Sequence, residues 1–522
     1  MKPLAQLSRQ LPDPAALQEL ADELEKKYTV QDTPAQSMTL RFYDSFDWRL
    51  YCANLLCFEQ AGRLYLTDLI GRELVPSLPI SAISGKAVGF CQHLPQSALR
   101  QKITPVLEMR TLLLQSHFSQ TTRQLRILNK DEKTVATLIL AEQSPESGAA
   151  EQPICSVQLH EVRGYGKWLQ RLEQDLETFG NPQPCTREQD LKAALAANKR
   201  APQDYSSKFS IALQPDMEAL TAAKMIYQDL LSTMRKNEQG ILNDLDSEFL
   251  HDFRVAIRRT RSGLDMIKKV LEPEITARFK KEFRSLGMIT GPVRDLDVYL
   301  LMEEDYKARL PDHLQTGLHY FFADLAAQRK KEQKKLVQAL RSSQYKTIIK
   351  DWKKHLHHKK GSGGKQSATP IGKMANTIIS KRFARVLRDG QAIDADSADE
   401  SLHRLRIQGK KLRYCLEFFS SLYPPKKIKF LVKQLKMLQN NLGLFNDLSV
   451  QQDMLNTYLG GLKPGSGKAK KMGAAIGGLL TNLYHEQQQV RSEFEETFRR
   501  FSSKENISLY EELFGSEQKS GQ

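Results

Sequence analysis

LHDFRVAIRRTRSGL, at residues 250–264, and LHRLRIQGKKLRYCL, at residues 402–416, carry Leu, His, Arg, Arg and Leu at the same five positions. The second stretch begins 152 residues after the first, and this offset holds farther along the chain without a gap, so that Asp295 coincides with Asp447. A register kept over this length predicts an internal repeat of two related helical halves.

One face of each predicted helix carries basic side chains that follow a histidine. Positions i, i+3, i+7 and i+10 share a face of an α-helix. They hold His251, Arg254, Arg258 and Arg261 in the first half and His403, Arg406, Lys410 and Arg413 in the second. Each stripe is roughly 15 Å long at 1.5 Å per residue, about the length of a few phosphates. The adjoining face is apolar, with Leu250, Phe253 and Ile257 in the first half, so each helix is expected to dock on a bundle and leave its cations at a cleft.

The following helices repeat the feature, because Lys281 and Arg284 fall opposite Lys433 and Lys436 under the same offset. A single charged stripe is more often a solvated helix face than a binding site. Two stripes in register, each begun by His, make that alternative less attractive. For the histidines alone, capping or hydrogen bonding in the core remains as good an explanation as ligand contact.

The positive charge of the chain is confined to one part. The chain has 77 Lys plus Arg and 61 Asp plus Glu, a formal net charge of +16. Residues 1–200 contain 23 of each kind, which leaves 54 basic and 38 acidic residues for the rest. Such an excess indicates a polyanionic partner, such as polyphosphate, nucleic acid or an anionic membrane face.

Length and composition predict a soluble protein of several domains. A chain of 522 residues is too long for one compact core. Its six cysteines show neither zinc spacing nor the density of a secreted disulfide scaffold. The sequence has no signal-peptide core and no run of about 18 apolar residues. We therefore expect a cytoplasmic protein without a membrane segment.

Hydrophobic periodicity divides the chain into a β-rich part and an all-helical part. Alternation over residues 37–163 predicts strands, followed by a helix at 166–178, and helical periodicity dominates from Tyr205 onward. The Gly, Ser and Lys content of the stretch between the halves predicts a flexible basic connector. The expected organisation is an α+β domain at 1–180, a linker at 181–204, a first helical half at 205–352, the connector at 353–370, a second half at 371–510 and a tail at 511–522.

The helical part strongly resembles the CHAD family, the conserved histidine α-helical domain. The residues that carry the resemblance are the two stretches at 250–264 and 402–416, together with GPVRDLDV and LGLFNDLSV downstream. It implies two four-helix bundles related by a pseudo-twofold, with a basic groove that binds inorganic polyphosphate. The candidate polyphosphate-binding residues are then His251, Arg254, Arg258, Arg261, Lys281, Arg284, Arg294, His403, Arg406, Lys410, Lys411, Arg413, Lys433 and Lys436. The second half departs from the pattern at Gln408, Gly409 and Asn446.

The N-terminal part resembles the CYTH, or triphosphate-tunnel, fold through FYDSFDWRLY at residues 42–51. Activity in that fold depends on a strand with an ExExK motif, whose glutamates bind metal. The literal match here, Glu23, Glu25 and Lys27, falls in a helical pattern, and the following strands supply Cys57 to Glu59 and Asp68 instead of cations. The resemblance therefore implies a degenerate, inactive domain, and the fold class expected for the whole chain is multi-domain α+β.

These observations favour a non-catalytic polyphosphate-binding protein that needs no cofactor and no metal and that is directed to polyphosphate granules. Two alternatives stay open. The first is a metal-dependent triphosphatase that uses the N-terminal domain. The second is a nucleic-acid binder that uses the same basic groove, which the lack of aromatic residues interleaved with the cations disfavours.

Overall fold

In the computed structural model, residues 6–80, 89–144, 153–179, 183–358, 363–463 and 465–515 are described. The chain divides into two compact units, Met1–Ser207 and Lys208–Gln522. They are called the N-terminal unit and the helical unit below. This division agrees with the expected multi-domain α+β class, because the first unit is built on a sheet and the second on helices.

The N-terminal unit contains one antiparallel sheet in the strand order β10-β1-β9-β8-β7-β3-β4-β5-β6, with β2 paired to β7. Its strands are β1 (Gln6–Leu11), β2 (Thr29–Asp32), β3 (Gln36–Asp44), β4 (Leu55–Gln60), β5 (Arg63–Asp68), β6 (Leu78–Pro79), β7 (Leu113–Leu128), β8 (Thr134–Ser144), β9 (Ile154–Glu161) and β10 (Gln183–Pro184). Its α-helices are α1 (Pro14–Lys27), α2 (Arg49–Cys52), α3 (Ala98–Leu107), α4 (Gly166–Thr178) and α5 (Arg187–Ala196), and a short 3-10 helix covers Cys91–His93.

Successive side chains along each strand point to opposite faces of the sheet. Leu125 and Ile127 of β7 pack with α1 and α4 in one apolar cluster. Phe118, on the opposite face of β7, packs with Phe42, Trp48 and the buried side chains of α5 in another. The sheet is therefore covered by helices on both faces, with apolar residues inward on each.

The linker expected at 181–204 is wrong for residues 183–184, which form β10, and for residues 187–196, while residues 181–182 lie outside the described part of the chain. Residues Arg187–Ala196 form α5, which begins with a capping box between Thr186 and Gln189. Leu191 and Leu195 are buried in the sheet cluster, so this segment belongs to the core of the N-terminal unit. Its capping residues and its apolar spacing explain why it folds as a helix.

The helical unit consists of thirteen α-helices over its described residues. They are α6 (Ala219–Leu242), α7 (Ser247–Met266), α8 (Pro273–Ile289), α9 (Gly291–Leu301), α10 (Glu303–Ala308), α11 (Asp312–Arg341), α12 (Ser343–His357), α13 (Ile371–Gln391), α14 (Asp399–Phe418), α15 (Pro425–Gly460), α16 (Gly467–Ser492), α17 (Phe494–Phe501) and α18 (Lys504–Phe514). A short 3-10 helix, Ser420–Leu422, precedes α15.

The helix boundaries keep the offset of 152 residues seen in the sequence. Helix α14 begins and ends 152 residues after α7, and α13 and α15 begin 152 residues after α6 and α8. One difference separates the halves: the first-half segment breaks between α8 and α9 at Gly291–Pro292, whereas α15 runs on without interruption. Proline is tolerated at the first turn of a new helix, and Leu444 stands at the equivalent place in α15.

Two reciprocal hydrogen bonds show that a pseudo-twofold axis relates the halves. Ala219 N donates to Thr369 O at 2.9 Å, and Ile371 N donates to Met217 O at 2.8 Å. Each residue in one bond lies 152 positions from its counterpart in the other. Contacts that are self-complementary in this way are the mark of twofold symmetry.

The connector expected at 353–370 is held more firmly than its composition predicts. Residues up to His357 continue α12, and Gly364 N donates to Val270 O at 2.8 Å while Gln366 N donates to Lys269 O at 2.9 Å. The expectation of flexibility is therefore wrong for residues 353–357 and 363–370, and residues 359–362 lie outside the described part of the chain. Small residues here allow close packing, since a Cβ on Gly364 would lie 2.3 Å from Lys269 O.

Candidate functional site

Helix α7 places the first cation stripe. The Asp246 side chain caps its N-terminus by accepting hydrogen bonds from the backbone N–H groups of Glu248 and Phe249, at 3.0 and 3.3 Å. Leu250 and Phe253 are buried on one face, whereas Arg258 is exposed on the other. The predicted division into an apolar face and a basic face is thus present.

A cleft of about 380 Å³ lies beside this basic face, between α7 and α9 of the first half and α15 of the second. It is lined by His251, Arg254, Val255, Arg258, Arg294, Asp295, Val298, Tyr299, Met302, Asp447, Val450 and Gln451. Four sequence-predicted residues therefore meet in one cavity, together with one carboxylate from each half.

Arg254 is held by neutral groups at the end of α8. Its Nη1 donates to Gly287 O and to Thr290 Oγ1, both at 2.9 Å. Burial lowers the pKa of Arg254, and the nearby charges of Arg258 and Arg294 lower it further, against the opposing effect of Asp295. The guanidinium is oriented by a backbone carbonyl and a threonine hydroxyl, so its position does not depend on an anion.

The cations of the second half face Arg258 from α14. Arg406 Nη2 lies 3.2 Å from Asp447 Oδ1, and the electrostatic influence of Arg258 lowers the pKa of both Arg406 and Lys410. Burial is the largest cause for Lys410 and, together with these arginines, lowers the pKa of its ammonium to about 8. Lys410 is the repeat counterpart of Arg258, so the two halves bring equivalent cations close together.

The two histidines have different surroundings. His403 Nδ1 lies 2.6 Å from Asn446 Oδ1. His251 lines the cleft, and Arg294 occupies the position equivalent to Asn446. Arg294 Nη1 donates to Ser247 O at 3.4 Å and lies 3.5 Å from Glu248 Oε1. The replacement of Arg by Asn thus gives the second half a neutral partner for its histidine.

The part of the chain that forms this cleft matches a known protein family. The model of a family described as CHAD domain matches residues 225–456. These residues form a CHAD domain. The match covers both cation stripes and all residues of the cleft, and it confirms the resemblance seen in the sequence.

Solved structures are also similar to the chain. The crystal structure of the CHAD domain from the plant Ricinus communis shares 25% sequence identity, with a TM-score of 0.46 over 55% of this chain and 96% of that chain. PptA from Streptomyces chartreusis shares 15% identity, with a TM-score of 0.40 over 54% of this chain and 100% of that chain. No curated protein matches the chain.

Other predicted residues of the CHAD domain lie beside the cleft. Arg413 Nε pairs with Glu417 Oε1 at 2.6 Å, and its charge contributes to the lowered pKa of Lys410. Arg261 is half-buried against α8, where its Nη1 would lie 3.5 Å from a Cβ on Gly287.

The remaining candidates are separated from the cleft. Lys281, Arg284, Lys433 and Lys436 are exposed on α8 and α15 and do not line the cavity. Lys411 is half-buried on a different face of α14, where burial and the charges of Arg382 and Arg385 lower its pKa and Asp265 opposes them. These positions enlarge the positive field of the domain without contacting the same volume.

Sequence reasoning missed two parts of the site. Arg259 Nη2 pairs with Glu417 Oε2 at 2.8 Å and so ties α7 to α14. An apolar wall includes Val298 and Val450, and Tyr299 donates from its hydroxyl to Val450 O at 3.3 Å. The repeat already aligns Val298 with Val450, which was the one available signal that these residues face each other across the axis.

The N-terminal unit does not assemble the ExExK motif on a strand. Glu23, Glu25 and Lys27 lie in α1, where Glu23 pairs with Lys26 at 2.9 Å and Lys27 with Asp175 at 3.2 Å. In the signature at 42–51, the Asp44 carboxylate accepts hydrogen bonds from the backbone N–H groups of Ser45 and Leu50, so it stabilises a turn. The likeness of this unit to the CYTH fold stays a prediction.

The described residues contain neither a metal-ligand cluster nor a membrane-spanning helix. No group of three or more His, Cys, Asp or Glu side chains there could hold a metal ion. No helix in this part of the chain is long and apolar enough to cross a membrane.

Proposed function

We propose that the CHAD domain binds inorganic polyphosphate in the cleft between its two halves and that it does so without catalysis. The observation that carries the proposal is the concentration of cations at this cleft. Arg254, Arg258 and Arg294 line it together with Asp295 and Asp447. Arg406, which pairs with Asp447, and Lys410 lie beside it. A bound polyanion would supply the missing negative charge through charge-assisted hydrogen bonds.

Among the described residues, the cations of this cluster outnumber the two carboxylates beside them. Within the described residues, neither Arg258 nor Lys410 has a carboxylate within salt-bridge distance, and the pKa of Lys410 is lowered to about 8. A group whose charged form is disfavoured in the free protein gains most when an anion arrives. Polyphosphate suits the cleft because it is a linear chain with roughly one charge per phosphate, and the helices present the cations without folding on binding.

The surroundings of the cations favour polyphosphate over nucleic acid. Single-stranded nucleic acids are held largely by stacking of bases on exposed aromatic rings. Tyr299 is the one aromatic residue that lines the described cleft; it is 8% exposed, and its hydroxyl is bonded to Val450 O. A ligand that needs only charge and length therefore fits these walls better than one with bases.

The test is the affinity of the full chain for long-chain polyphosphate. We expect Arg254→Ala combined with Arg406→Ala to weaken binding by at least about tenfold at moderate salt, because each removes a charge-assisted contact of order 1.5–3 kcal/mol. Binding by the unchanged chain should fall steeply as salt rises. Lys335→Ala removes a 70% exposed lysine of α11 and is the matched control. Unchanged affinity in the double variant would show that the cleft is not the site.

The catalytic alternative has its own measurement. We expect no phosphate release from tripolyphosphate with magnesium or manganese. Glu23 and Glu25 lie on helix α1 rather than on a strand, and Glu23 already pairs with Lys26. Turnover that Glu23→Ala abolishes would restore the triphosphatase hypothesis.

We further propose that the protein associates with polyphosphate granules. Microscopy of a fluorescent fusion in cells that accumulate such granules tests this, and the Arg254→Ala, Arg406→Ala double variant is the control.

A further inference from the structure

The N-terminal unit contains a cavity that the proposed function does not use. It has a volume of about 520 Å³ and lies on the same face of the sheet as the apolar cluster that contains Phe118 and the buried side chains of α5. Strands β3, β4, β5, β7, β8 and β9 all contribute to its walls. A volume of this size is typical of sites for small molecules.

Carboxamides and hydroxyls dominate the polar part of this cavity. Gln36, Gln60, Gln120, Gln124 and Gln158 line it together with Thr67 and Thr122. Gln60 Nε2 donates to Gln120 Oε1 at 3.0 Å, and Gln120 is 1% exposed. A carboxamide carries two N–H donors and an acceptor oxygen, so this pairing leaves hydrogen-bonding capacity on both side chains.

Two buried polar atoms of the lining have no hydrogen-bond partner among the described residues. Thr67 is 3% exposed, and its Oγ1 is unpaired, as is Nε2 of His160. A buried polar atom without a partner is costly, and the great majority in folded proteins are satisfied by protein, water or ligand. The unpaired atoms therefore mark where a ligand with its own hydroxyls would bond.

The charges of the lining are neutralised or placed at the mouth. Arg187 pairs with Asp190 at 3.1 Å and lies over the ring of Phe58 at 5.0 Å. Burial and the charge of Arg187 lower the pKa of His160, which keeps the imidazole neutral at pH 7. Arg126 and Glu73 are exposed and of opposite sign. The interior thus offers no net charge to an anion.

Apolar surface completes the walls. Phe58 and Tyr65 stack with ring centroids 5.2 Å apart, and Met38 and Ile139 also line the cavity. Molecules with many hydroxyl groups present C–H faces as well as donors and acceptors. We propose that this cavity binds an uncharged, hydroxyl-rich small molecule of mono- or disaccharide size.

The experiment is saturation-transfer NMR on the full chain with trehalose, maltose and myo-inositol as probes. We expect transfer to at least one probe and its loss in Thr67→Val and in Gln60→Ala. Thr121→Val is the matched control, because its hydroxyl lies on the opposite face of β7 and bonds Ser37 Oγ at 3.2 Å. No transfer to any of the three probes would overturn the proposal, and so would displacement of a bound probe by tripolyphosphate, which would show an anion site.

A second readout separates binding from stability. Thr67→Val keeps the shape of the side chain and removes the unpaired hydroxyl. The melting temperature of the N-terminal unit in the full chain without probe should therefore rise, while the increase caused by the probe disappears. A lower melting temperature without probe would show that the hydroxyl has a partner in the free protein and would count against the site. Loss of polyphosphate binding elsewhere in the chain would leave both results unchanged.

Discussion

At the scale of single residues, Lys410 links the charge of the cleft to pH. Burial is the largest cause and, with the charges of three arginines, lowers its pKa to about 8 from an ordinary value of 10.5. Because the pKa in the folded state is below the unfolded value, the folded domain loses stability as pH falls from about 10.5 through 8. A bound polyanion would reverse the shift by favouring the ammonium form.

We therefore expect polyphosphate binding near pH 8 to take up a proton, and affinity to fall as pH rises through about 8. Calorimetry in buffers of different ionisation enthalpy measures the uptake directly. Lys410→Arg should flatten this part of the pH profile, because a guanidinium stays charged throughout. The same pH profile in Lys410→Arg and in the unchanged chain would contradict the assignment of the proton to Lys410.

The residues of the cleft were predictable to the extent that they repeat. Arg254, Arg258 and Lys410 follow from helix periodicity and the offset between the halves. Lys411 has the same residue type and lies next to Lys410 in sequence, yet it faces Arg382 and Asp265 on another side of α14. Neither charge nor propensity tells which of two adjacent lysines faces the partner half, because that depends on the rotation of the packed helix.

At the scale of helices, close packing between the halves depends on a glycine. A Cβ on Gly317 in α11 would lie 2.2 Å from Lys471 O of α16. We expect Gly317→Ala to lower the free energy of unfolding of the helical unit by about 1–3 kcal/mol, because two backbones must separate. A urea titration followed by circular dichroism at 222 nm measures the change.

Gly477→Ala in α16 is the control for that variant. Apart from its chain neighbours and the backbone of α16 itself, no atom of the described residues lies within 4 Å of a Cβ at Gly477. Alanine at a helical position with free space should leave stability unchanged or raise it by about 0.5–1 kcal/mol. Equal losses in the two variants would mean that helix propensity rather than the α11–α16 contact governs the result.

Helices with strong patterns were predicted well, and connecting segments were predicted poorly. The segment at 187–196 was expected to belong to a linker, yet its capping box and apolar spacing make it a helix. The segment at 363–370 is rich in small residues, yet Gly364 and Gln366 bond to the backbone after α7. Composition predicts the conformation that a segment would adopt alone. It does not predict whether a neighbouring segment will form hydrogen bonds with it.

At the scale of the whole molecule, the positive charge lies outside residues 1–200, and the repeat arranges the central cations in equivalent pairs. Arg254 and Arg406 are such a pair, although Arg254 is held by neutral groups and Arg406 by Asp447. On long-chain polyphosphate we expect Arg254→Ala and Arg406→Ala to weaken binding to a similar degree, within about threefold. Binding titrations of the two single variants at one salt concentration provide the comparison.

A tenfold or greater difference between the single variants would contradict a ligand that crosses both halves. In that case one half would bind the chain and the other would only support it. The losses of binding free energy in the two single variants should add in the double variant. The two residues belong to opposite halves and, among the described residues, have different hydrogen-bond partners.

The pseudo-twofold axis that pairs Ala219 with Thr369 and Ile371 with Met217 has a consequence for the direction of the ligand. A linear molecule that crosses such an axis contacts nearly the same order of cations in either of its two orientations. An inorganic polyphosphate chain also reads the same from either end, whereas a strand of RNA or DNA runs from 5′ to 3′. A palindromic arrangement of charge is therefore matched to a polymer without polarity, and it can accept such a chain in either orientation.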